Sequence, residues 1–168
     1  LSGSVTDNAT VVTGLGDGFP VPTGNVTFQV SPDGSTWTDF DIAVALVNGK
    51  ATSDSYTPLA AGTYYFRAVY NGDGNYTGSY SGNFTEELTV GPVSSTTTTE
   101  LSQGAITLGG SVTDNATVTG LGGSFPGPTG NVTFQVSFNG GTWTDFATDV
   151  ALVNGNATSD SYTPLAAG

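Results

Sequence analysis

A chain of 168 residues has room for one or two domains of ordinary size, and with 36% apolar residues it can build a core with little to spare. Fourteen acids stand against only Lys50 and Arg67, a net charge of −12; two basic residues cannot make a positive stripe that tracks phosphates, which argues against nucleic-acid partners, the acidic field repels anionic lipid surfaces, and the longest apolar runs fall far short of a membrane span, so no direct membrane insertion of this segment is expected. With no Cys and no His there is no disulfide framework, thiol nucleophile, zinc ligand set or histidine general base.

Gly, Thr, Ser and Asn are abundant, aromatics are plentiful, and no stretch carries apolar residues at helical spacing, so the fold class is all-β. In chain order, Asn25 to Val30 alternates strictly. Val26, Phe28 and Val30 lie on one face, and Asn25, Thr27 and Gln29 on the other. Asp33-Gly34 and Asn48-Gly49 mark hairpin turns, because Asn and Gly tolerate the left-handed backbone such turns need. Tyr64, Phe66, Ala68 and Tyr70 alternate with Tyr65, Arg67 and Val69 in the most strand-like segment of the chain. A turn at Asn71-Gly72-Asp73-Gly74 follows, then a short last strand with Leu88 and Val90. Gly91-Pro92-Val93 is the expected joint between two domains. After it, Ser94-Ser95-Thr96-Thr97-Thr98-Thr99 reads as a strand or linker in preference to an O-glycosylated stalk, since Thr suits strands. Period-two alternation and aromatic bulk place Phe28, Trp37, Tyr64, Phe66, Phe134 and Trp143 in the cores.

An internal repeat decides the architecture. Gly3 to Thr10 returns as Gly110 to Thr117, Pro22 to Ser31 as Pro128 to Ser137, and Ala51 to Gly62 without change as Ala157 to Gly168. The period is roughly 106 residues with one deletion near Val118, and about fifty of the sixty-odd aligned positions are identical. Such a period matches a whole sandwich and not a solenoid unit. The expected domains are 1–92, lacking its first strand, and 93–168, whose copy stops before any counterpart of Thr63 to Val90. A sandwich without its Tyr/Phe-rich strand bares one sheet and a row of unpaired backbone groups. The second copy is therefore expected to be completed in cis by a continuing chain, or in trans by a strand from a neighbouring subunit, with cis favoured.

Pro22 to Phe28, Ala61 to Tyr70 and the Gly72 to Tyr76 turn, with Val44 to Gly49 between them and Glu86 to Val90 after, resemble the prokaryotic (bacterial and archaeal) Ig-like tandem repeats of cell-surface and adhesin-type proteins. The resemblance implies tandem immunoglobulin-like antiparallel β-sandwiches strung along adhesins, S-layer-associated proteins and other extracellular stalks, and it brings no catalytic residues.

The strongest chemical signal is the N-x-T sequon, carried by seven of eleven asparagines: Asn8, Asn25, Asn75, Asn83, Asn115, Asn131 and Asn156. Its density makes these N-glycosylation candidates, Asn75 and Asn83 foremost, and among prokaryotes leans towards an archaeal glycoprotein. The competing reading is that Asn and Thr are simply common in exposed turns and strands. Asp73 superficially resembles a calcium-loop residue, but it lacks the alternating carboxylates of such a loop, and a structural turn is preferred. Asp7 and Asp114 sit in polar strands or turns and are ambiguous. The acids as a whole read as solubilising, with weak divalent-cation binding or a saline habitat as the sharper alternative. A self-formed isopeptide link would need Lys50, whose counterpart is Asn156, so at most one copy could have it. No carboxylate pair for glycoside cleavage is identifiable, and Trp37 and Trp143 are assigned to packing in preference to ligand stacking. The expected protein is not an enzyme and has no catalytic, cofactor-binding or metal residues. It is a non-catalytic repeat of an extracellular stalk, surface layer or filament, and the alternative is a cell-adhesion or carbohydrate-binding module. Its expected partners are neighbouring Ig-like repeats, with glycans or other cells as further candidates.

Overall fold

The computed structural model describes residues 3–12 and 18–166, and among them there is no helix. The last two positions of the copied Ala157–Gly168 segment lie outside the described residues. The chain divides into two compact units, Leu1–Pro92 and Val93–Gly168. Both are all-β, and each packs two sheets face to face as a sandwich.

In the first unit the strands are β1 (Asn8–Thr10), β2 (Asn25–Ser31), β3 (Thr38–Ala45), β4 (Lys50–Thr52), β5 (Gly62–Tyr70), β6 (Ser79–Tyr80) and β7 (Glu86–Val90). The small sheet pairs β1 with β4, extended by a bridge between Val5 and Tyr56. The larger sheet runs β3-β2-β5-β6, and β7 pairs the start of β5, with every neighbour antiparallel. Strand β2 is central because its alternation buries one whole side: Val26 and Phe28 are fully buried and Val30 nearly so. Facing them come Ala9 and Ala51 from the small sheet, and Tyr70, Ala68 and Phe40 complete the packing. Burying a side chain the size of Phe28 contributes about 1.5–3 kcal/mol, so this stripe is a main source of the unit's stability.

The second unit contains β8 (Thr96–Leu101), β9 (Asp114–Thr119), β10 (Asn131–Ser137), β11 (Trp143–Ala151) and β12 (Asn156–Thr158). Here the small sheet has three strands, β12-β9-β8, because the Thr-rich run is a strand paired with β9 along its length. The facing sheet, equivalent to the first unit's larger one, consists among the described residues of β10 and β11. Its core is correspondingly thin: Phe134 with Ala116, Ala147 and Ala157.

Local geometry repeats between the units. Asn48-Gly49 and Asn154-Gly155 both turn with positive φ at each residue, as type I′ hairpins require. The β2–β3 pairing slips between Val26 and Phe28, where Ala43 is left-handed (φ 57°); β10–β11 slips at the matching place with Asp149 at φ 55°. A bulge preserved through a change from Ala to Asp is dictated by the sheet and not by that side chain.

Of the six expected core aromatics, Phe28, Phe66 and Phe134 are buried, while Trp37 and Tyr64 are half-buried. The expectation for Trp143 is wrong: it is 63% exposed. Its equivalent, Trp37, is covered by the Arg67 guanidinium 4.2 Å from the ring, and Arg67 belongs to β5, which has no counterpart in the second unit among the described residues.

Candidate functional site

The seven sequon asparagines spread over the surfaces of both units and converge on no single place. Asn8, Asn25, Asn131 and Asn156 open strands β1, β2, β10 and β12; Asn115 is the second residue of β9; Asn75 and Asn83 lie in the connections around β6. Six are exposed, and Asn83 is half-buried. In β-structure an asparagine at a strand's outward position keeps its amide in solvent, which a bulky glycan requires. Several carboxamides are engaged by their oxygen alone. Asn8 Oδ1 accepts from the Thr52 hydroxyl and Asn115 Oδ1 from the Thr158 hydroxyl, both at 2.7 Å, while Asn83 Oδ1 accepts from Arg67 Nη1 at 3.1 Å. Asn156 is used at both ends, accepting from Thr117 and donating to the Asn154 carbonyl.

Asp73 is a turn residue. Its two oxygens accept from the backbone N–H of Thr23, Asn75 and Tyr76 and from the Thr23 hydroxyl, which ties the β5–β6 connection to the approach of β2. These donors hold its carboxyl well below the usual carboxylate range, the Thr23 amide first. Asp33 plays the same part in the β2–β3 hairpin, where the amides of Thr36 and Ser35 and the Ser31 hydroxyl lower its pKa. In the second unit Asn139 replaces Asp33, and the counterpart of Ser31, Ser137, keeps a buried hydroxyl without a partner. Lys50 is exposed at the start of β4.

The ambiguous Asp7 is resolved as a buried residue, 7% exposed. Its backbone N–H donates to the Ser53 hydroxyl, and the Ser53 N–H donates back to the Asp7 carbonyl. The same exchange joins Asp114 and Ser159. Asp7 Oδ2 receives no donor among the described residues, and the Glu86 carboxyl at the start of β7 lines the same hollow beside it. Two carboxylates offer each other only acceptors, so a hydrogen bond between them needs a proton. Burial pushes the pKa of Asp7 up, and burial followed by the Asp7 charge does the same to Glu86. Asp7 and Glu86 stand far apart in sequence, and no local motif could have paired them. Among the described residues no three His, Cys, Asp or Glu side chains gather in a cluster able to hold a metal ion.

Arg67 organises one face of the first unit's larger sheet. Its Nε donates to Gln29 Oε1 at 2.7 Å, its Nη1 reaches Asn83, and its guanidinium lies over Trp37 and, at 5.3 Å, over Tyr80. Gln29 in turn donates to Asp39. In the second unit Gln135 donates to Asp145 at 2.7 Å in the same way, and Trp143 stands beside it uncovered.

The opposite face shows the same difference. Phe40, Tyr56 and Phe66 form a three-ring cluster with centroids 5.3–5.8 Å apart, and Tyr64 packs on Tyr56. The second unit keeps the equivalent of the first two rings, Phe146 and Tyr162, 5.2 Å apart. Beside these two rings lies an open hollow of about 730 Å³, lined by Phe146, Tyr162, Val136 and the Ile106–Leu108 loop.

The chain matches the bacterial Ig-like domain (group 3) family over residues 1–91. No curated protein and no solved structure matches it.

Proposed function

We propose, from the premise that the chain belongs to the bacterial Ig-like domain family (group 3), that it is a non-catalytic structural repeat of an extracellular stalk, surface layer or filament. Residues 1–92 and 93–168 are then successive copies of one repeat. The observation that carries this reading is the near-duplicate sequence folding with the same hairpins, the same bulge and the same Asp–Ser exchange in each copy. A spacer needs uniform units, whereas a dedicated binding domain differs from its neighbours. No helix among the described residues is long and apolar enough to cross a membrane. The outward-facing sequons favour a glycosylated surface protein, and among prokaryotes an archaeal one. Immunogold electron microscopy of the source cells, with antibodies raised against the chain, tests the proposal. Label repeating along surface fibres or over a surface layer is expected, and label confined to the cell interior would overturn it. Binding of the purified chain to specific oligosaccharides on a glycan array would favour the adhesion-module reading instead.

A further inference from the structure

We infer that Asn139 is a self-modification site: attack by the Gly140 amide nitrogen converts it to aspartate, and the turn around it already carries the donors that hold the resulting carboxylate. The inference is independent of where the protein resides.

The two copies differ at this turn. In the first unit Ser31-Pro32-Asp33-Gly34-Ser35-Thr36 leads from β2 towards β3, and the second has Ser137-Phe138-Asn139-Gly140-Gly141-Thr142 in its place. Asp33 Oδ1 accepts from the Ser31 hydroxyl at 2.9 Å, the Ser35 amide at 2.8 Å and the Thr36 amide at 2.7 Å. Among the described residues Asn139 takes none of the equivalent bonds, and the Ser137 hydroxyl is buried without a partner. The Gly141 amide goes instead to the Phe138 carbonyl at 3.2 Å. A carboxylate draws stronger bonds from such donors than a neutral carboxamide does. Asn139 is also left-handed (φ 57°) where Asp33 is not, so taking up the first unit's bonds moves the backbone out of a disfavoured region.

The reaction needs nothing but the chain and water. The Gly140 nitrogen bonds to Asn139 Cγ and ammonia leaves, which closes a five-membered succinimide; glycine favours this because no side chain crowds the attacking nitrogen. Water added at Cγ breaks the new Cγ–N bond and leaves aspartate, whereas water added at the main-chain carbonyl leaves isoaspartate. The chain has four Asn-Gly steps, none in a sequon, and the fold separates them. Asn48-Gly49 and Asn154-Gly155 sit in two-residue hairpins with buried glycines, each closed by a pair of backbone bonds, Val47 with Lys50 and Val153 with Asn156. Asn71 is held by its backbone N–H to the Asn25 carbonyl and by its side chain to the Thr27 hydroxyl. Asn139 is exposed, as Asp33 is in the first unit, so the openness of this position belongs to the hairpin itself.

Two measurements on the intact chain test the proposal. In peptide mapping after incubation at mildly alkaline pH, Asn139 is expected to lose its amide before Asn48, Asn71 and Asn154, with aspartate exceeding isoaspartate at that position. Earlier loss at any of the other three, or isoaspartate as the main product, overturns it. In urea unfolding, Asn139→Asp is expected to raise the second unit's folded-to-unfolded ratio by roughly three- to ten-fold, the scale of a hydrogen bond gained. That gain runs against the repulsion of adding an acid to a chain already at −12. Combining it with Ser137→Ala is expected to remove most of the gain relative to Ser137→Ala alone. No gain from Asn139→Asp, or an equal gain in both backgrounds, overturns the proposal.

Discussion

At the scale of single residues the first unit contains carboxyls pulled in opposite directions. Asp33 and Asp73 are held below the usual range by backbone amides, so their stabilising contribution is present above about pH 4 and is lost as pH falls through their lowered values. Asp7 and Glu86 are raised, which reverses the sign: their contribution is full below about pH 4 and is lost as pH rises through their elevated values. Because the raised pair takes up protons before the lowered pair does, acidification from neutral pH is expected first to make the first unit more stable. Urea unfolding at a series of pH values checks this, and Asp7→Asn, which keeps the shape but removes the charge, is expected to flatten the rise. The sequons also separate at this scale. Asn75 is exposed with no side-chain hydrogen bond among the described residues, whereas Asn83 is half-buried against Arg67. Site-resolved mass spectrometry of native material is expected to find higher glycan occupancy at Asn75 than at Asn83, and a mass equal to the bare polypeptide would rule out both.

At the scale of elements, β5 determines what its neighbours can bury. It contributes Phe66 to the three-ring cluster and Arg67 to the cover over Trp37 from alternate sides of one strand. Phe66→Ala is expected to cost about 3–5 kcal/mol, because a ring-sized space opens between two sheets that cannot close over it. Trp143→Ala, at a solvent-facing position, is expected to change stability by less than about 0.5 kcal/mol. Chemical denaturation of the two variants checks both, and a similar loss from each would mean that Trp143 is packed after all.

Over the whole molecule the two units differ in how much core each can assemble. The first buries Val26, Phe28, Val30, Phe66 and Tyr70, whereas three of the four buried apolar residues of the second are alanines. Calorimetry is expected to place the second unit's transition below the first's, and Phe66→Ala is expected to lower the first unit's transition by more than about ten degrees. Hairpin turns, the alternation of Asn25 to Val30, the two-copy plan and the Ig-like family were legible from sequence because each is written in neighbouring residues or in repetition. For the Thr-rich run the sequence left strand and linker both open, and pairing with β9 makes it a strand. The burial of Asp7 against Glu86 was not legible, nor were the Arg67 cover over Trp37 and the exposure of Trp143. Each depends on strands brought together from distant parts of the chain. Identical local sequence in β2 and β10 made the same strand twice, but what lies beside a strand is settled by tertiary pairing, and that pairing decides which of its side chains leave water.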